Sequence, residues 1–306
     1  MNVLNVIAVD LGGTNVRVAL VNHHGEILDE IIRPSHADQG PQFVLNHIVE
    51  MAKSLQGFET AQALGLGLPG PVDQEKGTVT VVTNLKDFAF YPIREHLSEA
   101  LSMPVYIEND AKVAALGEAT FGAGKGYPIV YYVTQSTGVG GGLVINGKIH
   151  AGAHAHAGEI SNVIIDPNRK PYTDMVNMPS TVAETQVSGT AIYLKAKHEA
   201  KLDVTNTQDV FKLAKTSAEA KAIVDQMSKD MAQLLSAIAH IVNPDIFVLG
   251  GGVTKARDHF WNQMIEDFKK MVYPGLRDTV FEAAELDEPG IIGAAALVFS
   301  HEEDLK

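Results

Sequence analysis

"IAVDLGGTNVRVALV", residues 7–21, sets two runs of β-type residues around a tip of Asp10, Leu11, Gly12, Gly13 and Thr14. A two-residue turn such as Asn-Gly is enough to join antiparallel strands. An acid leading into consecutive glycines exceeds what a hairpin requires, so the tip calls for a second reason. The chain continues through the turn "NHHGE" into a third strand ending near residue 32. The same order returns at residues 129–150: "IVYYVTQ", the tip "STGVGGG", then "LVI", the turn "NGK" and "IHAG". Asn146-Gly147 is a strong hairpin signal. Two meanders with matching tip, strand and polar turn point to a duplicated α/β unit.

Between the meanders, "PQFVLNHIVEMAKSLQGF" reads as helix, "ALGLGL" as strand and "GTVTVVTNL" as strand. "IREHLSEAL" is helical, "PVYIEN" a strand and "DAKVAALGEATFG" a helix. After the second meander comes a polar loop, 166–181, stiffened by Pro167, Pro171 and Pro179, then helices from about 188. A long helix over roughly 217–242 stops at Asn243-Pro244. "DIFVLGGGV" is a buried strand, and "PGIIGAAALVF" a final, tightly packing helix. Alternating strands and helices make an α/β architecture.

The 306 residues, 45% hydrophobic and 20% charged, suffice for two domains. The absence of cysteine removes disulfides, thiolate metal sites and cysteine nucleophiles, and fits a cytoplasmic setting. The N-terminus has no signal-peptide pattern, and no apolar run reaches membrane-spanning length. A formal charge of −13 without a basic cluster argues against nucleic acid as partner. An anionic ligand would be held by backbone N–H groups, a metal ion or a few cations.

Several motifs mislead. "GLGLPG", Gly65 to Gly70, matches a dinucleotide fingerprint, but Pro69 and Pro71 prevent the helix that must open there. "GEATFGAGKG" spaces Gly117 and Gly122 like a phosphate loop, yet Ala123 stands where Lys-Ser/Thr is needed. "HAHAGE" offers His154, His156 and Glu159; without a further ligand, a polar substrate loop is the better reading than a metal site.

Three glycine-rich tips remain, at 12–14, 137–142 and 250–252, each after a β-type run. Glycine lets successive N–H groups close on an anion, and Thr14 and Thr137 add hydroxyls. A tight turn explains any one of them; all three together suit a phosphate chain and its nucleoside. Asp10 beside phosphates would work through Mg²⁺, directly or through a metal-bound water, or would simply cap its own turn. Asp110, between strand and helix, is either an N-cap or a carboxylate accepting a hydroxyl proton during phosphoryl transfer. The helix N-terminus should lower its pKa. Asn109 beside it can donate and accept towards a polyol.

In order along the chain, "DLGGTNVRVAL", "GLPGPVD", "TNL", "ENDAKVAALGE", "STGVGGGLVINGKIHAG", "HAGEI", "SGTAI" and "NPDIFVLGGGV" resemble the motifs of ROK sugar kinases, within the actin-like, hexokinase-like ATPases. Phe88 stands where many members have Trp. The resemblance implies a two-domain actin-like fold, a duplicated ribonuclease H-like unit. Its small domain would be residues 1–110, with the C-terminal helix 289–306 returning to it, and its large domain 111–288. It implies Asp110 as general base and Asn84, Asn109, Asp110, Glu159, Asn162 and Glu184 at the sugar. ATP and Mg²⁺ would be held by Asp10, Gly12, Gly13, Thr14, Thr137, Gly138, Gly251 and Gly252.

One departure stands out. Many members carry a histidine after "GEI" and then a cysteine-rich zinc loop. Here Asn162 takes the histidine position and the loop has no cysteine, so no structural zinc is expected. Asn162 is shorter than histidine, leaving room near C1 and C2 of the sugar unless Tyr172 or Met175 refills it. The expected activity is ATP-dependent phosphorylation of a hexose 6-hydroxyl, in a homodimer without membrane or nucleic-acid partner; glucose, a β-glucoside and N-acetylmannosamine are the candidate substrates. A transcriptional repressor would need an N-terminal helix-turn-helix, for which the first strand leaves no room. An inactive sugar sensor would not need Asp10, Asp110 and both tips.

Overall fold

The computed structural model describes residues 4–82, 84–169 and 181–305. Pro171, Tyr172, Met175 and Pro179 lie outside the described residues. The strands are β1 (Asn5–Leu11), β2 (Asn15–Asn22), β3 (Ile27–Pro34), β4 (Ala61–Leu68), β5 (Val72–Asp73), β6 (Thr78–Val79), β7 (Val105–Asn109), β8 (Ile129–Gln135), β9 (Val139–Ile145), β10 (Lys148–Ile149), β11 (Ile246–Gly250) and β12 (Val280–Ala283). The helices are α1 (Pro41–Lys53), α2 (Ile93–Leu101), α3 (Asp110–Phe121), α4 (Ala183–Val187), α5 (Gly189–Leu194), α6 (Thr207–Leu213), α7 (Ala218–Val242), α8 (Trp261–Met271) and α9 (Pro289–Phe299).

One sheet runs β3-β2-β1-β4-β7 and the other β10-β9-β8-β11-β12. In each, a three-strand meander is extended by two strands, and those extensions are parallel: β4 on β1 and β7 on β4, β11 on β8 and β12 on β11. This is the duplication legible in the two meanders. Two compact units emerge. The first comprises residues up to Pro128, Gly142–Gly158 and residues from Glu285 on; the second comprises Ile129–Gly141 and Glu159–Ala284.

In the first unit, β1 is buried on both faces. Ile7, Val9 and Leu11 pack with Val44, Leu45 and Ile48 of α1, and Val6 and Ala8 with Ile291, Ala294 and Val298 of α9. Alternation thus splits between two apolar layers, which is why the strand reads as a continuous apolar run. The glycines of "GLGLPG" serve this packing: a Cβ at Gly65 would strike the Ala294 carbonyl, and one at Gly67 would lie 2.7 Å from Val113.

Three expectations change. Among the described residues of "GTVTVVTNL", the strand is Thr78–Val79, a two-residue pairing with β5; Gly70 and Gly77 take left-handed φ values of 96° and 67° and curl the chain instead of extending it. The first helix stops at Lys53 rather than near 58, because Ser54 Oγ turns back onto the Glu50 and Met51 carbonyls. The second tip is shorter than 137–142: Gly140, Gly141 and Gly142 lie inside β9. At Gly142 the cause is crowding by α3, since a Cβ would stand 2.6 Å from that of Ala115. The long helix behaves as expected, with Ser217 capping its start and Asn243 ending it at φ 50° before Pro244.

Candidate functional site

In the first unit Asp10 is the penultimate residue of β1, directly opposite Arg17 of β2. Its pKa is pushed up to about 6, first by burial and then by the negative charge of Asp110; Glu288 adds to the rise and Arg17 opposes it. Arg17 is itself drawn to Glu288 by an ion pair. The tip then turns tightly, with Gly12 N–H donating to the Asn15 carbonyl at 2.9 Å. Gly13 lies against Asn84: a Cβ there would be 3.1 Å from Nδ2. Gly13, Thr14 and Asn84 share the wall of an open cavity of about 670 Å³ with His36, Asp38 and Lys86.

Asp110 is not the helix cap. Asn109 is: its Oδ1 accepts from Ala111 N–H at 3.0 Å and Lys112 N–H at 3.2 Å, while its amide donates to the Gly70 carbonyl at 3.3 Å. The acceptor capacity expected of Asn109 towards a polyol is therefore spent on the backbone, and its amide group is shared between the Gly70 carbonyl and the Asp110 carboxylate. Asp110 is the first helical residue. One of its oxygens, Oδ1, takes the Ala111 N–H at 2.8 Å, leaving Oδ2. Its pKa is raised by burial, against the lowering pull of the Ala111 N–H and the Asn109 side chain. The lowering expected from the helix N-terminus is thus outweighed by desolvation; the carboxylate touches solvent, but protein crowds it on most sides. Beneath it, Glu108 is buried, accepts from Asn109 N–H at 2.8 Å and Gln74 Nε2 at 2.9 Å, and is likewise pushed up by burial. Lys112, with no exposed surface, reaches the Ala155 carbonyl in the "HAHAGE" loop. Among the described residues no three His, Asp or Glu side chains converge as a metal-binding group.

In the second unit, Ser136 N–H donates to the Gly138 carbonyl at 2.9 Å and closes the tip after β8. Gly189 N–H donates to Ser136 O at 2.8 Å, and Thr190 Oγ1 to Thr137 O at 2.9 Å, so the start of α5 holds the tip. Gly251, at φ 91°, packs on the backbone of Gln135, where any Cβ would collide. Thr137 and Gly252 then line one cavity of about 790 Å³. Its further walls include Tyr193, Phe211, Lys212, Lys215, Lys255 and His259, none of them singled out from the sequence. They come from α5, α6 and the turn that follows it, and the turn after Gly252, and share no local motif. Glu184, in α4, lies beside Gly138: a Cβ there would be 2.8 Å from its Oε2, which also accepts from Val139 N–H at 3.3 Å. Glu159 approaches Tyr131, whose hydroxyl pKa is raised by burial and by that carboxylate. Asn162 is exposed.

A glucokinase of Thermotoga maritima is 30% identical over 96% of this chain and 97% of its own. Among solved structures, a ROK hexokinase from Thermus thermophilus superposes with a TM-score of 0.88 at 28% identity, covering 98% of this chain and all of that one. A ROK family glucokinase from Streptomyces griseus, in complex with glucose and AMPPNP, gives a TM-score of 0.77 at 25% identity, covering 96% and 98%. The ROK family model matches residues 6–301. The chain therefore belongs to the ROK family, and it is a sugar kinase with an actin-like ATPase fold.

Proposed function

We propose that this kinase transfers the γ-phosphoryl group of ATP to the 6-hydroxyl of a hexose, with Asp110 as general base. The supporting observation is the pairing of Asp10 and Asp110, carboxylates at the carboxyl ends of β1 and β7 whose charges are felt across the space between them. Ligands in open α/β sheets sit beyond such strand ends. Asp110 Oδ2 takes the hydroxyl proton while the sugar oxygen bonds to phosphorus and the bond from phosphorus to the β–γ bridging oxygen breaks, releasing ADP. Its raised pKa brings it nearer to neutral pH than an ordinary aspartate and so makes it a better base. Asn109 contacts a sugar hydroxyl through its side-chain amide, and Asn84, Glu159, Asn162 and Glu184 contact the other hydroxyls. Thr137, Gly138, Gly251 and Gly252 take the nucleotide, together with Gly12, Gly13 and Thr14.

Mg²⁺ fits at Asp10, where a buried carboxylate already carries the cost of a second negative charge nearby. When bound it supplies neutralising charge to the phosphates. We place Asp10 on the ion directly or through a water, and include a homodimeric, cytoplasmic enzyme in two domains, 1–110 with 289–306 and 111–288, in the same reading. The glucokinase relatives favour glucose; the exposed Asn162 favours a hexose substituted at C1 or C2. ADP release with Mg-ATP and glucose, cellobiose or N-acetylmannosamine separates them by kcat/KM. Strict preference for glucose excludes the enlarged pocket, and the absence of sugar-dependent ADP from all hexoses overturns the proposal.

A further inference from the structure

The segment after Glu159 runs back beside α4. Ile165 N–H donates to Thr181 O at 2.8 Å, Ala183 N–H to Val163 O at 2.8 Å, and Glu184 N–H to Ser161 O at 3.0 Å. The placement of Glu184 therefore depends on where the segment from Ser161 to Arg169 is held. At its end, Arg169 enters a polar cluster buried between α4 and α7. Its guanidinium grips both oxygens of Asp230, with Nη2 to Oδ1 at 2.6 Å. It also reaches Gln186 Oε1 at 2.8 Å and, through Nε, Asp166 Oδ2 at 3.2 Å. Asp230 is 1% exposed and also accepts from Gln226 Nε2 at 2.9 Å. Gln186, two residues beyond Glu184, is fully buried and accepts from Lys195 Nζ through its side chain at 3.1 Å and its carbonyl at 3.0 Å. Gln233 of α7 donates to Ile165 O at 2.8 Å.

Such a cluster is a costly way to gain stability alone, because the Asp230 carboxylate and most of the Arg169 side chain lose their water. What it does provide is fixed geometry: the planar fork of an arginine matches a carboxylate in one orientation only. We propose that Arg169 and Asp230 are positioning residues for the sugar site, acting through Gln186 and the 161–165 pairing to hold Glu184 in register. This rests on the assignment of Glu184 to the sugar made above. A cysteine-free chain thereby anchors Arg169, at the start of the 166–181 loop, on the buried carboxylate of Asp230.

The test compares Arg169→Met, Arg169→Lys, Asp166→Asn and Glu184→Ala in the full-length enzyme, with sugar and ATP varied separately and amide hydrogen exchange followed at Ala183 and Glu184. Arg169→Met is expected to raise the sugar KM about tenfold or more, in line with the effect of sub-ångström misplacement, leave the ATP KM within about twofold, and speed exchange of both amides. Arg169→Lys should recover part of the sugar KM. Asp166→Asn removes a partly exposed partner without stranding a buried charge, so it folds even if Arg169→Met does not, and should show the same trend more weakly. Folded Arg169→Met or Asp166→Asn enzyme with unchanged sugar KM, or with equal changes in both KM values, overturns the positioning role. An unchanged sugar KM in Glu184→Ala instead overturns the underlying assignment of Glu184, and the exchange result at its amide then reports on the anchoring by itself.

Discussion

Gly290 lies directly against the carboxylate of Asp10: a Cβ at Gly290 would stand 2.5 Å from Oδ2 and 2.8 Å from Cγ. Pro289 opens α9, so the first turn of that helix covers the acid and turns its positive end towards it. Gly290→Ala must push one of them aside. If Asp10 orients Mg-ATP, the variant loses about 10- to 100-fold in kcat/KM for ATP and needs more Mg²⁺ for half-maximal rate. A folded Gly290→Ala enzyme with wild-type magnesium dependence would show that the contact is packing alone.

Asp110→Asn keeps a hydrogen-bonding oxygen for the Ala111 N–H but cannot accept a proton. The expected loss is on the order of 10²–10⁴-fold in kcat, with sugar affinity by direct binding largely retained. Because the charge of Asp110 raises the pKa of Asp10, the same variant should also move the Asp10 titration downwards, readable by carboxylate NMR. Near-wild-type turnover of a pure preparation refutes the general-base assignment.

The duplicated meanders were legible because strand, tip and polar turn are local patterns, and both sheets follow them. So was the long helix, with Ser217 at one end and Asn243-Pro244 at the other. The strand position of Gly142 was not, because a glycine that bends around a ligand and a glycine that admits a neighbouring helix look identical in sequence. Asp110 was placed correctly at the strand-to-helix junction, yet its neighbour Asn109 took the cap, and burial set its pKa in a direction that helix position alone does not predict. Arg169 and Asp230 are separated by 61 positions; neither carries a local signal, and only the fold brings them together. The same is true of Tyr193, Phe211 and Lys255 around the larger cavity.

Glu118 shows the same non-local logic in the first unit. It has no exposed surface, and it accepts the backbone N–H groups of Ala123 at 3.0 Å, Glu285 at 3.2 Å and Leu286 at 2.9 Å. It thus ties the segment leading to α9 onto the end of α3. Glu118→Ala strands three donors, and at about 1–3 kcal/mol for each unsatisfied group the expected loss is on the order of 3 kcal/mol or more in urea unfolding. Glu118→Gln keeps one acceptor oxygen and should fall between. A Glu118→Ala protein as stable as wild type would mean that these N–H groups find other partners.

Lys195 gives the pH dependence. Burial lowers its pKa from 10.5 to about 8; Arg169 pushes the same way, while Asp230 and Glu199 pull it back. Below pH 8 both the folded and unfolded chains hold this proton, and the folded state carries the full burial penalty, on the order of 3 kcal/mol. Between about pH 8 and 10.5 the unfolded chain keeps the proton that the folded chain has released, so this group makes stability rise with pH across that window. Ionisations elsewhere in the chain cancel in a comparison with a variant differing only at residue 195. Lys195→Met also loses the bonds to Gln186 O and Oε1, an offset in stability, whereas the titration appears as a difference in slope. Urea unfolding of both proteins at pH 7 and pH 10 should therefore show wild type gaining roughly 2 kcal/mol on Lys195→Met over that interval. Parallel stability curves would show that Lys195 stays protonated in the folded enzyme, held by Asp230 and Glu199 against the cost of burial.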